Sequence, residues 1–97
     1  MAQQIKTGKV SAKTVMGRRD FMDGMKDKRL GKPVRDQWES TVRGHVIDRQ
    51  WSYERGRAFY CYLKSRGMEG MKIKDGPRVT YEAQVAFMEA RREGWIR

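Results

Sequence analysis

The chain has 97 residues, with 22 Lys and Arg against 12 Asp and Glu, a net charge of +10 and a pI near 10.2. That length allows one domain at most. No apolar run approaches the roughly 20 residues needed to span a bilayer, and MAQQIKTGKVSAK has no apolar h-region of a secretory signal, so a cytoplasmic protein without membrane association is expected.

The first stretch is a basic arm. Lys6, Lys9, Lys13, Arg18 and Arg19 lie in residues 1–19 with no acid, so half the net charge sits on the first fifth of the chain. The expected organisation is a basic arm over 1–13 and one small helical domain over 14–97. An arm of this kind is suited to polyphosphate, although it also serves as a merely soluble tail.

A helix is expected from about Thr14 to Leu30. Gly31 and Pro33 stop it, and Lys28 and Arg29 suit the negative end of its dipole. Phe21 and Met25, four apart, share a face. Gly17 and Gly24 each weaken a helix by about 1 kcal/mol relative to Ala, unless they admit another helix or chain at close range. Asp20, Asp23 and Asp27 recur on one side, in reach of a divalent cation in principle. They alternate with Arg19, Lys26 and Lys28, which favours a salt-bridged solvent face and no metal site.

A short helix over 35–43 is weaker, because Thr41, Val42, Gly44, Val46 and Ile47 dilute the helical signal. A long helix follows, from an Asp48 N-cap to Arg66 before Gly67. At 100° per residue, Trp51, Ala58, Phe59, Tyr62 and Leu63 form the expected core arc. Arg49, Tyr53, Gly56, Arg57, Tyr60 and Lys64 fall opposite, alternating tyrosine with base. Residues 67–79 read as a connector with turns at its glycines and at Asp75-Gly76, plus a short extended piece at 71–73. The last helix spans 80–93 with a Thr80 N-cap and Glu82 in its first turn. Trp95 and Ile96 then form an apolar tip able to fold back. The chain shows no long internal repeat. The expected fold is all-α, a helical hairpin or three-to-four-helix domain with a basic N-terminal arm.

The core is lean. Leu, Ile, Val and Phe number only 16, about 16% of the chain, and a value below roughly 20% with high net charge leans toward disorder. Ten aromatics and seven Met must supply the deficit. Each large aromatic buries roughly 150–250 Å². Most of Met16, Met22, Met25, Met68, Met71 and Met88 are therefore expected inside, while Trp38, Trp51 or Trp95 would suit an interface anchor.

Enzymatic chemistry finds little material, and no catalytic residue or cofactor is assigned. Cys61 and His45 are the only Cys and His, too few for a Cys/His zinc site. GMEGMK lacks the Lys-Ser/Thr ending of a phosphate-binding loop. Nucleic-acid binding fits the composition better: Lys6, Lys9, Lys13, Arg18, Arg19, Arg49, Arg57 and Lys64 would neutralise phosphates. Tyr53 and Tyr60 would stack on unpaired bases, a mixture suited to RNA. The competing reading packs both tyrosines under another helix and leaves the bases as a solvated fringe.

Phe21-x-x-Gly24, Gly31-Lys32-Pro33 and the run from Gln50 to Phe59 (QWSYERGRAF) are similar to small phage and prophage proteins related to ribosome modulation factor. That family pairs an aromatic-x-x-Gly helix with a second helix bearing Trp and Gly, through a Pro-containing loop. The chain departs from the pattern in the second helix, where the usual Trp-x-x-Gly-Trp becomes Trp51 followed by Gly56 and no second Trp. The resemblance implies a helical hairpin, a phage origin, and RNA or a ribonucleoprotein such as the ribosome as partner in the host cytoplasm. A phage origin also suits a different role, an inhibitor that takes over or blocks a host protein or defence complex.

Overall fold

The computed structural model describes residues 11–35 and 45–96. The fold is all-α in character. Its elements are α1 (Ala12–Met16), α2 (Arg19–Arg29), α3 (His45–Ser65), a hairpin of β1 (Lys74–Asp75) and β2 (Arg78–Val79), and α4 (Tyr81–Arg92). Residues 1–10 of the expected arm and the expected helix over 35–43, apart from Arg35, lie outside the described residues. Ser11 caps α1 by accepting from the Thr14 N–H, and Ala12 is already buried.

The single helix expected over 14–30 is two helices. Arg18 is extended (φ −75°, ψ 142°) and separates them. The break serves burial. In one continuous helix Met16 and Phe21 would point roughly 140° apart at 100° per residue, yet both are fully buried. Resetting the chain at Gly17–Arg18 lets the Val15–Met16 and Phe21–Met25 faces reach the same core.

The three longer helices end alike. Gly31, Gly67 and Gly94 have φ of 74°, 70° and 88°, the left-handed conformation that glycine adopts without a Cβ penalty. Behind them, the N–H groups of Lys32, Met68 and Trp95 donate to the carbonyls of Asp27, Leu63 and Ala90. Each is the long hydrogen bond of a Schellman cap. The expected start of the long helix moves: α3 begins at His45, placing Asp48 in its first turn. Thr80 caps α4 as expected, accepting from the Ala83 N–H.

Helices α2 and α3 cross at glycine. A Cβ on Gly24 would collide with the carbonyl oxygen of Tyr53, and a Cβ on Gly56 with the carbonyl oxygen of Phe21. Each collision partner stands three residues before the other glycine. Phe21-x-x-Gly24 and Tyr53-x-x-Gly56 therefore form a quasi-symmetric pair that brings two backbones into direct contact. This short echo is hidden in a chain without long repeats.

Three helices meet in a ring triangle. The centroids of Phe21, Phe59 and Phe87 stand 5.7–5.8 Å apart with tilted planes, a favoured aromatic arrangement. Tyr62 stacks beside Phe59. Val15, Met16, Leu63, Ile73, Val79 and Ile96 close the core. Helix α4 enters through Ala83, Ala86, Phe87 and Ala90, leaving Tyr81, Val85 and Met88 outside. Met16 and Met25 are buried, and Met22, Met68 and Met71 pack partly against the core. Only two of the six methionines expected inside are therefore fully in the core, and Met88 is exposed.

The connector holds a hairpin beyond the expected extended piece. Lys74 pairs with Val79 and Asp75 with Arg78. Gly76 (φ 62°) and Pro77 form the turn. Positive φ at the first central position and proline at the second fit a type II′ turn, because proline cannot take the positive φ that type I′ requires there. No helix among the described residues is long and apolar enough to cross a membrane.

Candidate nucleic-acid interface

The first half of α3 gathers arginine. Arg18, at the start of α2, donates from Nη1 to Ser52 Oγ at 3.0 Å. Arg49 grips Asp20 with Nε and Nη2, at 3.2 and 3.3 Å, a two-point carboxylate contact. With Arg19, Asp48 and Ser52 these residues line a shallow depression of about 350 Å³. Three of the expected phosphate-binding residues, Arg18, Arg19 and Arg49, are thus brought together. Lys6 and Lys9 lie outside the described residues. Lys13 is exposed on α1 and Lys64 on the last turn of α3. At 1.5 Å rise per residue Lys64 is roughly 22 Å from Arg49 along the helix, so it is not part of this cluster.

Tyr53 corrects the expectation of a stacking face. It is completely buried. Its hydroxyl donates to Asp27 Oδ2 at 2.6 Å. The guanidinium of Arg35 lies 5.0 Å from its ring centroid and that of Arg57 lies 5.8 Å away. The physical cause is the neighbouring Gly56. Lacking a side chain, it looks featureless on a helical wheel, yet it is where α2 lands, and the face around it turns inward. Arg57 is also held, with Nη1 donating to the Lys32 carbonyl at 3.0 Å.

The Tyr53 hydrogen bond, aided by Arg35 and Lys32, holds the Asp27 carboxyl below its ordinary 3.8 against the opposing effect of burial. Tyr60 is likewise not on an open face. It is partly buried and lines a groove with Met22, Met25, Met71 and Ile73. The competing reading, tyrosines under another helix, holds for Tyr53 and largely for Tyr60.

The aspartates of α2 are engaged with partners beyond their own helix. Asp20 meets Arg49, Asp23 stands 4.0 Å from Arg35, and Asp27 binds Tyr53 and Arg35. Among the described residues no group of three His, Cys, Asp or Glu side chains is arranged to hold a metal ion. His45 and Cys61 both lie on α3, sixteen positions and roughly 24 Å apart along its axis, which excludes a catalytic pair within one chain.

Sequence reading missed a second feature on the same half of α3. Trp51, expected in the core, is only half-buried. With Glu54, Arg55, Ala58, Trp95 and Ile96 it lines a pocket of about 210 Å³. The Arg55 guanidinium lies 5.6 Å from the Trp51 ring centroid. Burial, then the positive charges of Arg18 and Arg91, pull the Arg55 pKa below its ordinary value. Arg55 is therefore within electrostatic reach of Arg18 and Arg91, with Asp48 acting in the opposite sense. That reach links the tryptophan pocket, which Arg55 lines, to the depression that Arg18 lines. The signal in the sequence was Trp51, Ser52 and Arg55 at i, i+1 and i+4, with Trp95 too distant along the chain to be linked to them.

No family model, curated protein or solved structure matches the chain.

Proposed function

We propose that the protein binds RNA or a ribonucleoprotein without catalysis. The observation that carries the reading is the depression lined by Arg18, Arg19 and Arg49, beside the Arg55 of the tryptophan pocket. Arg55 also feels the like charge of Arg18 and Arg91. Asp20 and Asp48 share the depression, but base is in excess there and on a chain of net charge +10, which favours a polyanion that releases counterions when it docks. Lys13 and Arg19 are exposed and add positive charge to the described residues. The resemblance to ribosome modulation factor relatives favours a ribosomal target in the cytoplasm of a phage-infected host. Fluorescence anisotropy of a single-stranded RNA across a salt series tests the reading. Binding at about 50 mM salt that falls linearly in log–log form is expected, and absent or salt-independent binding overturns it.

A second reading is favoured by one observation. Tyr81, Val85 and Met88 are 79%, 40% and 44% exposed and recur at i, i+4 and i+7 on α4. They border a groove of about 590 Å³ with Ser11, Ala12 and Lys13 of the α1 end. Such a face suits a protein partner, as a phage inhibitor of a host complex would need. Recovery of one stoichiometric protein from nuclease-treated lysate, lost on Val85→Glu, would favour it over RNA.

A further inference from the structure

We propose that the pocket between Trp51 and Trp95 receives one unpaired base of the bound strand, with the Trp95 indole as the stacking surface. The inference rests on the RNA reading above and deepens it, because it replaces the expected tyrosine platform with a different pair of aromatics.

Trp95 is built to stay in place while showing a face. It follows the positive-φ Gly94, and its own N–H donates to the Ala90 carbonyl at 2.9 Å. The next residue, Ile96, is 4% exposed and anchored in the core. The indole meets Tyr62 in a T-shaped contact at a centroid distance of 5.9 Å and an angle of 70°. The side chain nevertheless remains 42% exposed. A large aromatic fixed on both sides and left open is preorganised, so little ordering entropy opposes binding.

The rest of the pocket defines the ligand. Ala58 keeps its wall low, and Trp51 with Arg55 above its ring forms the opposite side. A volume of about 210 Å³ lies below the roughly 300–1,000 Å³ of drug-sized sites, so the space suits one flat ring system and not a whole nucleotide cofactor. Glu54 at the rim accepts hydrogen bonds and repels phosphate, and every base offers an N–H. The sugar–phosphate backbone is directed to Arg55, which lines the same pocket and lies within electrostatic reach of Arg18. An apolar side chain of a protein partner would gain nothing from that arginine approach, whereas a nucleotide uses both halves.

The test compares a single-stranded 12-nucleotide RNA with linear polyphosphate, a polyanion without bases, as probes of the full-length chain. Stacking is worth about 1–3 kcal/mol per base, so Trp95→Ala is expected to weaken RNA binding about 5- to 150-fold and leave polyphosphate binding unchanged. Trp95→Phe restores most of the loss. A spectroscopic arm avoids dependence on the alanine variant's fold. In a Trp38→Phe/Trp51→Phe chain, Trp95 is the sole indole, and RNA quenches its fluorescence while polyphosphate does not. The pocket assignment is overturned if RNA binds Trp95→Ala as tightly as the parent, or if both probes are weakened equally. Equal quenching by both probes overturns it as well. A parent chain that binds polyphosphate and not RNA overturns both the assignment and the RNA reading. RNA binding that is indifferent to Trp95 overturns the assignment alone.

Discussion

Helix α3 makes its contact with α2 and its contact with α4 from opposite materials. Against α2 it offers Gly56 and receives Gly24, so backbone meets backbone at a single crossing. Against α4 it offers Phe59 and Tyr62, and receives Phe87 among three alanines. The glycine crossing has no slack, because what stands opposite each missing Cβ is a carbonyl that cannot rotate away. The aromatic contact is made of side chains that can shift. One contact sets how closely the helices approach, beside the Phe21–Phe59 ring pair, and the other is made of side chains alone. A lean core tolerates this division because close approach brings a few large rings within reach of one another.

Removing the aromatic side should have the largest effect. Phe87→Ala takes one corner from the ring triangle and is expected to destabilise the fold by about 3–5 kcal/mol in urea unfolding. It leaves an apolar cavity, so benzene should recover part of the loss. Gly56→Ala, read by the same unfolding, is expected near the top of the roughly 1–3 kcal/mol range for overpacking, or above it. Benzene should not rescue that variant, since the damage is a collision and not a void. If both variants respond to benzene, the two contacts do not differ as described.

A smaller effect probes the polar lock beside the crossing. Tyr53→Phe removes the shortest hydrogen bond to the buried Asp27, at an expected cost of about 1–3 kcal/mol at neutral pH. That bond lowers the Asp27 pKa in the folded state, so its stabilisation is present above the unfolded carboxyl's ordinary 3.8 and is lost as pH falls through the lowered folded value. Parent and variant should therefore converge in stability below pH 3.8. A gap that stays constant with pH would show that the hydroxyl acts on packing alone.

Gly70→Ala is the smallest change and the sharpest control. A Cβ there meets nothing within 4 Å, and its φ lies outside the positive region. Loss of unfolded-state freedom should stabilise the chain by about 0.4–1 kcal/mol. The same substitution that damages the crossing would then strengthen the connector.

Helix punctuation was legible residue by residue. Gly31, Gly67 and Gly94 end helices because only glycine takes positive φ freely, and Thr80 starts one because its hydroxyl reaches an N–H three residues on. These are contacts within a few positions of chain, so neighbours suffice to specify them. The break at Arg18 was not legible, because it is driven by two buried faces that must reach a common core. Nor was the inward turn of Tyr53, whose address on the helical wheel placed it among bases.

The decisive residue for Tyr53 was Gly56, and what matters about Gly56 is the space it yields to Phe21 on another helix. The tryptophan pocket has the same origin, since Trp51 and Trp95 are 44 positions apart and meet only when α4 folds back on α3. Charge follows this division too. The count of +10 and the basic arm belong to composition, whereas the approach of Arg18 and Arg91 to Arg55 exists only because packing brings three helices together. Local hydrogen bonding and backbone sterics act along the chain, while face selection and charge clustering depend on which helices touch.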